Sequence, residues 1–246
     1  MARMSDDPDL WERVAGWWQE NFTGGADPEY EEQIIPLAVA QVAAARRVLE
    51  VGTGEGQVAR AVRAASGGAV VGIDLSAAQI VEAAARGGGP AYAQAGADAL
   101  PFADASFDAV VACLVFEHID AVDEAIAEVA RVLEPGGTFA FFLNHPLLQT
   151  PNSGWIDDQM IEPPEQYWRI GAYLDEAATM EQVEKGVFIR FVHRPLSRYL
   201  NAMADVGLTL ERMLEPAPPQ GFIDRAPEYI EAATIPRLLT LVARRA

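Results

Sequence analysis

The sequence predicts an α/β fold, a largely parallel sheet with helices on both faces, and three observations predict it. Apolar runs of strand length recur at 46–51, 69–73, 109–114 and 138–143. Between them lie segments with apolar residues at helical spacing, such as Val122, Ile126, Val129, Ala130 and Leu133. The first run ends in three alternating glycines, Gly52, Gly54 and Gly56, before a helix-forming stretch. Apolar runs without polar alternation belong to strands buried on both faces, as parallel strands between helix layers are.

Bulk properties bound the function classes. A chain of 246 residues fits one α/β domain, 1–246, with an added cap. Its 36 acidic and 18 basic residues give a net charge of −18, which repels nucleic acid and anionic membrane surfaces, so neither is expected as a partner. The lone cysteine, Cys113, excludes an intramolecular disulfide and argues against a cysteine-based metal site. The stretch Met1-Ala2-Arg3-Met4-Ser5-Asp6-Asp7 has no apolar signal core, and no run reaches transmembrane length; the expected compartment is the cytoplasm.

In chain order, 8–22 reads as an amphipathic helix with Pro8 in its first turn, broken by Thr23-Gly24-Gly25. A second helix over 28–44 is expected to kink near Pro36. Together, residues 1–45 form an N-terminal helical lid over the ligand edge of the sheet. Tyr30, Trp17 and Trp18 either line that lid or pack in the core. The central part, 46–143, alternates strand and helix: strand 46–51, helix 55–66, strand 69–73, helix 77–86 with Ser76 as N-cap, strand 91–95, strand 109–114, helix 121–133 and strand 138–143. Residues 144–186 are polar, acidic and aromatic with four prolines and no clean period, so 144–194 reads as an insertion after strand five, an acceptor cap. A strand at 187–193 pairs with 179–184. The remainder, 195–246, gives a helix at 195–206, a strand at 208–214, a loop over 215–233 and a last strand from Ile235.

The glycine turn places helix N-terminal amides against whatever lies over it. Dinucleotide-binding turns carry glycine at the sixth position of G-x-G-x-x-G, and here that position is Gln57. Asp74 ends the second strand 22 residues beyond Gly52. A carboxylate there accepts hydrogen bonds from both ribose hydroxyls of an adenosine-type ligand, without saying which one.

Several stretches then carry a family resemblance: Val48-Leu49-Glu50-Val51-Gly52-Thr53-Gly54-Glu55-Gly56; Gly72-Ile73-Asp74-Leu75-Ser76; Asp98-Ala99-Leu100-Pro101-Phe102 with Ser106-Phe107-Asp108; Phe116-Glu117-His118-Ile119; and Arg131-Val132-Leu133-Glu134-Pro135-Gly136-Gly137. In this order they resemble the class I S-adenosylmethionine-dependent methyltransferases, above all the group often called type 11, with small-molecule acceptors. The resemblance spans 46–143, and the tail from His193 to Pro216 is similar to the late part of those domains. It implies a Rossmann-like doubly wound seven-stranded sheet of order 3-2-1-4-5-7-6, last strand antiparallel, with S-adenosylmethionine at the carboxyl edge of the first strands. Carried over by position, Glu50 and the turn Gly52, Thr53, Gly54 and Gly56 face the methionine part. Asp74 holds the ribose and Leu75 lies against the adenine. Asp98 accepts from the adenine amino group, helped by the Ala99 amide, and Leu114 sits near the sulfonium. Tyr30 of the lid joins these cofactor-binding candidates.

Methyl transfer from a sulfonium is an in-line displacement, so alignment and exclusion of water matter most. An acceptor hydroxyl or amine also needs a base, and histidine suits that role. His145 in Asn144-His145-Pro146, after strand five, is the first candidate; a backbone-bonded loop histidine is the alternative. His118 matches a Glu-His pair of the resembled family, where it is more often structural but borders the pocket; no second ligand pair is evident, so no metal is expected. His193 reads as structural or as a cavity wall. Trp155, Tyr167, Trp168 and Tyr173 either form an apolar acceptor cavity or pack the insertion. The expected function is methyl transfer to oxygen, nitrogen or carbon of a small-molecule acceptor. The competing readings are an adenine-dinucleotide oxidoreductase and a non-catalytic cofactor-binding module. A homodimer is compatible with the sequence, and the acceptor stays open.

Overall fold

The computed structural model describes residues 8–225 and 233–246. Helix α1 (Pro8–Phe22) has the expected bounds. The predicted kink near Pro36 is a π turn, Tyr30–Ile34, running straight into α2 (Ile35–Val42). Proline has no N–H to give, and its ring crowds the carbonyl four residues back; one widened turn, closed by the Ile35 N–H on the Tyr30 carbonyl, relieves both.

The alternating core follows: β1 (Arg47–Val51), α3 (Gln57–Ser66), β2 (Ala69–Asp74), α4 (Ala77–Arg86), β3 (Ala91–Gln94), β4 (Phe107–Cys113), a 3-10 turn Phe116–His118, α5 (Val122–Val132) and β5 (Leu133–Asn144). Ser76 caps α4 as expected, its hydroxyl accepting from the Gln79 N–H at 3.2 Å. Strand β5 starts earlier than predicted because the Glu134-Pro135-Gly136-Gly137 stop is folded into it as a bulge: Phe107 pairs with Leu133, but Ala109 pairs with Thr138.

The insertion is built of two antiparallel hairpins. The first, β6 (Gly154–Asp158) with β7 (Glu165–Arg169), was hidden by prolines and charge; Trp155 faces Trp168 across it at 5.5 Å. The second, β8 (Ala177–Glu184) with β9 (Val187–His193), is the pairing the sequence predicts. Then come α6 (Leu196–Asp205), β10 (Leu208–Leu214), a short α7 (Gln220–Arg225) inside the predicted loop, and β11 (Leu238–Arg245). Part of that loop, 226–232, lies outside the described residues.

The seven-stranded sheet runs β3-β2-β1-β4-β5-β11-β10, with β11 antiparallel to β5. Counting the seven sheet strands alone, that is the expected 3-2-1-4-5-7-6. Alternate residues of each strand feed two cores. Leu49, Val110, Phe139 and Phe141 pack with α5 and α6 on one face; Val48, Val111, Ala140 and Phe142 pack with α2 and α3 on the other. Phe141 is fully buried, its ring 4.9 Å from Phe139 and 4.7 Å from Phe116. Truncating it, Phe141→Ala, removes the centre of that cluster and is expected to cost about 3–5 kcal/mol of unfolding free energy in chemical denaturation; a loss below about 1 kcal/mol would contradict this packing account.

Candidate active site

A cavity of about 300 Å³ opens at the carboxyl ends of β1, β2 and β4. This is the edge where ligands bind in open α/β sheets. The turn 52–54 forms its floor, and residues of the 95–98 loop, α1 and β9 close its sides.

The three glycines of the turn do different jobs. All have positive φ: 71° at Gly52, 55° at Gly54 and 83° at Gly56. A Cβ at Gly52 would lie 2.2 Å from Val115 and one at Gly56 2.3 Å from the Tyr92 hydroxyl, so these two are forced by packing. At Gly54 the nearest atom would be the Trp18 Nε1 at 3.9 Å; here the backbone is bare toward the cavity. The turn is stitched to β2 by the Thr53 N–H on the Ile73 carbonyl at 2.8 Å. Gly72 makes room for this, since its Cβ would sit 2.5 Å from Thr53 Oγ1.

Three carboxylates meet here. Asp74 accepts from the Gly54 N–H on one oxygen and from the Ser76 N–H on the other, both at 2.9 Å. Burial raises its pKa while those amides pull it back. Each oxygen keeps a lone pair for a further donor. Glu50 is buried, and its Oε2 accepts from the Thr53 hydroxyl at 2.6 Å. Desolvation pushes its pKa up to about 8, the hydrogen bond from Thr53 opposing, so burial holds it protonated at neutral pH. Glu55 binds Arg60 at 2.5 Å and Arg86 at 2.9 Å through Oε2, while its Oε1 is enclosed without a partner.

Residues 49–141 match the model of a family described as a methyltransferase domain. The fold superposes with a TM-score of 0.73 on an S-adenosylmethionine dependent methyltransferase from Mesorhizobium loti, 28% identical, over 89% of this chain and 98% of that one. Residues 49–141 thus carry a methyltransferase domain of the class I S-adenosylmethionine-dependent kind. Curated relatives include a malonyl-[acyl-carrier protein] O-methyltransferase of Enterobacter lignolyticus, 35% identical over 126 residues, 48% of this chain and 50% of that protein. Another is a demethylmenaquinone methyltransferase of Thermus thermophilus, 36% identical over 118 residues, 46% and 53% of the two chains. The chain thus spans about half the length of the curated relatives it matches.

The site fits the methyltransferase cofactor, S-adenosylmethionine: a diol-sized pair of acceptor positions on Asp74, bare backbone at Gly54, and acids for a cation. Glu50, Gly52, Thr53, Gly54, Asp74, Leu75, Asp98, Leu114 and Tyr30 all line the cavity. Gly56 and Ala99 do not: Gly56 is the N-cap of α3 under Tyr92, and Ala99 lies exposed beside the cavity. Leu114 holds φ at 55°, a left-handed backbone uncommon for leucine, at the end of β4. The Asp98 loop is braced from below, where Arg131 donates to the carbonyls of Leu100 at 3.0 Å and Phe102 at 2.7 Å.

The histidines part ways. His118 lines the cavity, donating from Nδ1 to the Arg190 carbonyl at 2.7 Å; burial pulls its pKa down to about 4, leaving it neutral. His145, the first candidate in the sequence, is not among the cavity's lining residues: its Nδ1 accepts from the Leu147 N–H at 3.1 Å and its Nε2 faces Glu215 at 2.8 Å. Both nitrogens are occupied by loop contacts. His193 is buried, its Nε2 donating to the Tyr173 carbonyl at 2.8 Å. Trp155, Tyr167, Trp168 and Tyr173 also stay out of the cavity lining. In their place stand Trp11 and Trp18 of α1 and Arg190 of β9, while Trp17 packs on Phe22 and donates to Glu184. Among the described residues no cluster of three His, Cys, Asp or Glu side chains is arranged for a metal, and no helix is long and apolar enough to cross a membrane.

Folded Glu50 keeps its proton to about pH 8, whereas an unfolded glutamate loses it near 4.5, so this residue lowers stability progressively as pH rises between those values. Glu50→Gln is expected to stabilise the ligand-free protein by about 3 kcal/mol at pH 7 and by almost nothing at pH 4.5. Thermal or urea unfolding across that range decides it, and a destabilised variant at pH 7 would refute the assignment.

Proposed function

We propose that this chain transfers a methyl group from S-adenosylmethionine to a small-molecule acceptor inside the cavity. The carrying observation is the Asp74 carboxylate, pre-aimed by the Gly54 and Ser76 amides at the mouth of the cavity. S-adenosylmethionine supplies an electrophilic methyl on a positively charged sulfur. The chain's own groups hold it and keep water out. Asp74 accepts from the ribose hydroxyls, Leu75 and Asp98 meet the adenine, and the Ala99 amide supports Asp98. Glu50, Thr53 and the turn amides receive the methionine end, where an ammonium would draw the Glu50 proton off. Leu114, held in its left-handed conformation, shapes the wall near the sulfur. Tyr30 and Trp18 cover the turn from above, standing 6.4 Å apart and edge to face. Exclusion of water by this aromatic cover favours displacement over hydrolysis.

For proton handling we assign His118 rather than His145. With Nδ1–H committed to the Arg190 carbonyl, the lone pair of His118 sits on Nε2, where it can accept a hydrogen bond from an acceptor hydroxyl or amine. Its low pKa makes it a weak base, so alignment carries most of the rate.

Asp74→Ala tests the reading. Calorimetry with S-adenosylhomocysteine should show affinity lost by about 1–3 kcal/mol, the scale of charged hydrogen bonds removed. Unchanged affinity, or tight NAD binding with no response to S-adenosylhomocysteine, would overturn it.

A further inference from the structure

We propose that the acceptor carries a carboxylate and that Arg190 is the residue that receives it, an inference resting on the methyltransferase reading above. Among the described residues that line the cavity, Arg190 alone is a lysine or arginine. Its side chain is 12% exposed. One nitrogen, NH2, donates to Asp120 Oδ1 at 2.6 Å, while Nε and NH1 are enclosed with no hydrogen-bond partner. Buried guanidinium donors are costly to leave unmatched, and a planar oxyanion reaching this wall would match them after a small shift of the side chain.

The surroundings fix Arg190 in place and leave its charge partly unanswered. Its carbonyl accepts from His118, which itself lies against Trp11 at 4.8 Å and Phe191 at 4.7 Å. Asp120 is 36% exposed, so water screens the pairing it offers. The rest of this wall, Val115, Ile119 and Ala121, is apolar. A monoanion suits this wall better than a phosphate dianion. The same cavity already holds Glu50, Glu55, Asp74 and Asp98, and the chain carries −18 overall.

The experiment is calorimetric titration of protein saturated with S-adenosylhomocysteine, using benzoate, hexanoate, their two amides and inorganic phosphate as probes. At least one acid should bind about tenfold tighter than its amide, with phosphate weaker than the acids. Arg190→Gln should erase that preference while amide and S-adenosylhomocysteine affinities stay unchanged. Asp120→Asn, which keeps the guanidinium, should tighten acid binding and serves if the first variant does not fold. Equal binding of acid and amide, no binding of either acid, phosphate binding as well as the acids, or an acid preference that survives Arg190→Gln or falls in Asp120→Asn would each overturn the proposal. Failure of wild-type protein to bind S-adenosylhomocysteine would instead strike the methyltransferase reading.

Discussion

The close approach of one glycine turn to the end of the neighbouring strand governs this structure. The Thr53 amide on the Ile73 carbonyl and the Gly54 amide on Asp74 join β1 to β2 at their carboxyl ends. The approach exists only because Gly72 has no Cβ to meet Thr53 and Gly52 has none to meet Val115. Everything useful about the site follows from that seam. It aims the Asp74 carboxylate, leaves Gly54 bare, and lets the Thr53 hydroxyl reach the carboxyl of Glu50.

Function and stability pull against each other at this point. Burying Glu50 beneath the turn costs folding energy above its ordinary pKa, yet it leaves an acid ready to answer a cation. Further along the same edge Glu117 repeats the pattern. Its Oε1 accepts from the Asn144 backbone and side-chain N–H groups, and burial pushes its pKa up to about 7. Helix α1 completes the enclosure. Glu12 accepts from the Ser76 hydroxyl at 2.7 Å and from the Ala78 N–H at 3.1 Å, which docks the helix on the N-terminus of α4 next to Asp74. That contact brings Trp11 and Trp18 over the cavity.

What was legible in the sequence was whatever local chemistry determines. Continuous apolar runs gave the sheet strands, Ser76 gave a helix start, and the aspartate ending the second strand marked the ligand edge. The resemblance to a known family supplied the strand order. Contacts between distant segments were not legible. Nothing near Trp11 or Arg190 marks them as neighbours of the glycine turn, because a helix before the sheet and a hairpin after it meet only in the folded chain. His145 illustrates the converse. Its position after β5 suggested the ligand edge, but its ring turns to Leu147 and Glu215, partners that local sequence does not announce. The β6–β7 hairpin was masked because its strands are only five residues long, half-buried at most, and carry too few apolar residues for a period to show.

The central claim is that an adenosine sugar sits on Asp74. A crystal structure of the protein with S-adenosylhomocysteine tests it most directly. The account predicts both ribose hydroxyls within hydrogen-bond distance of the Asp74 oxygens, with the methionine end above Gly54 and toward Glu50. A ribose bound elsewhere, or an Asp74 carboxylate that contacts nothing but Gly54 and Ser76 in that complex, would contradict it.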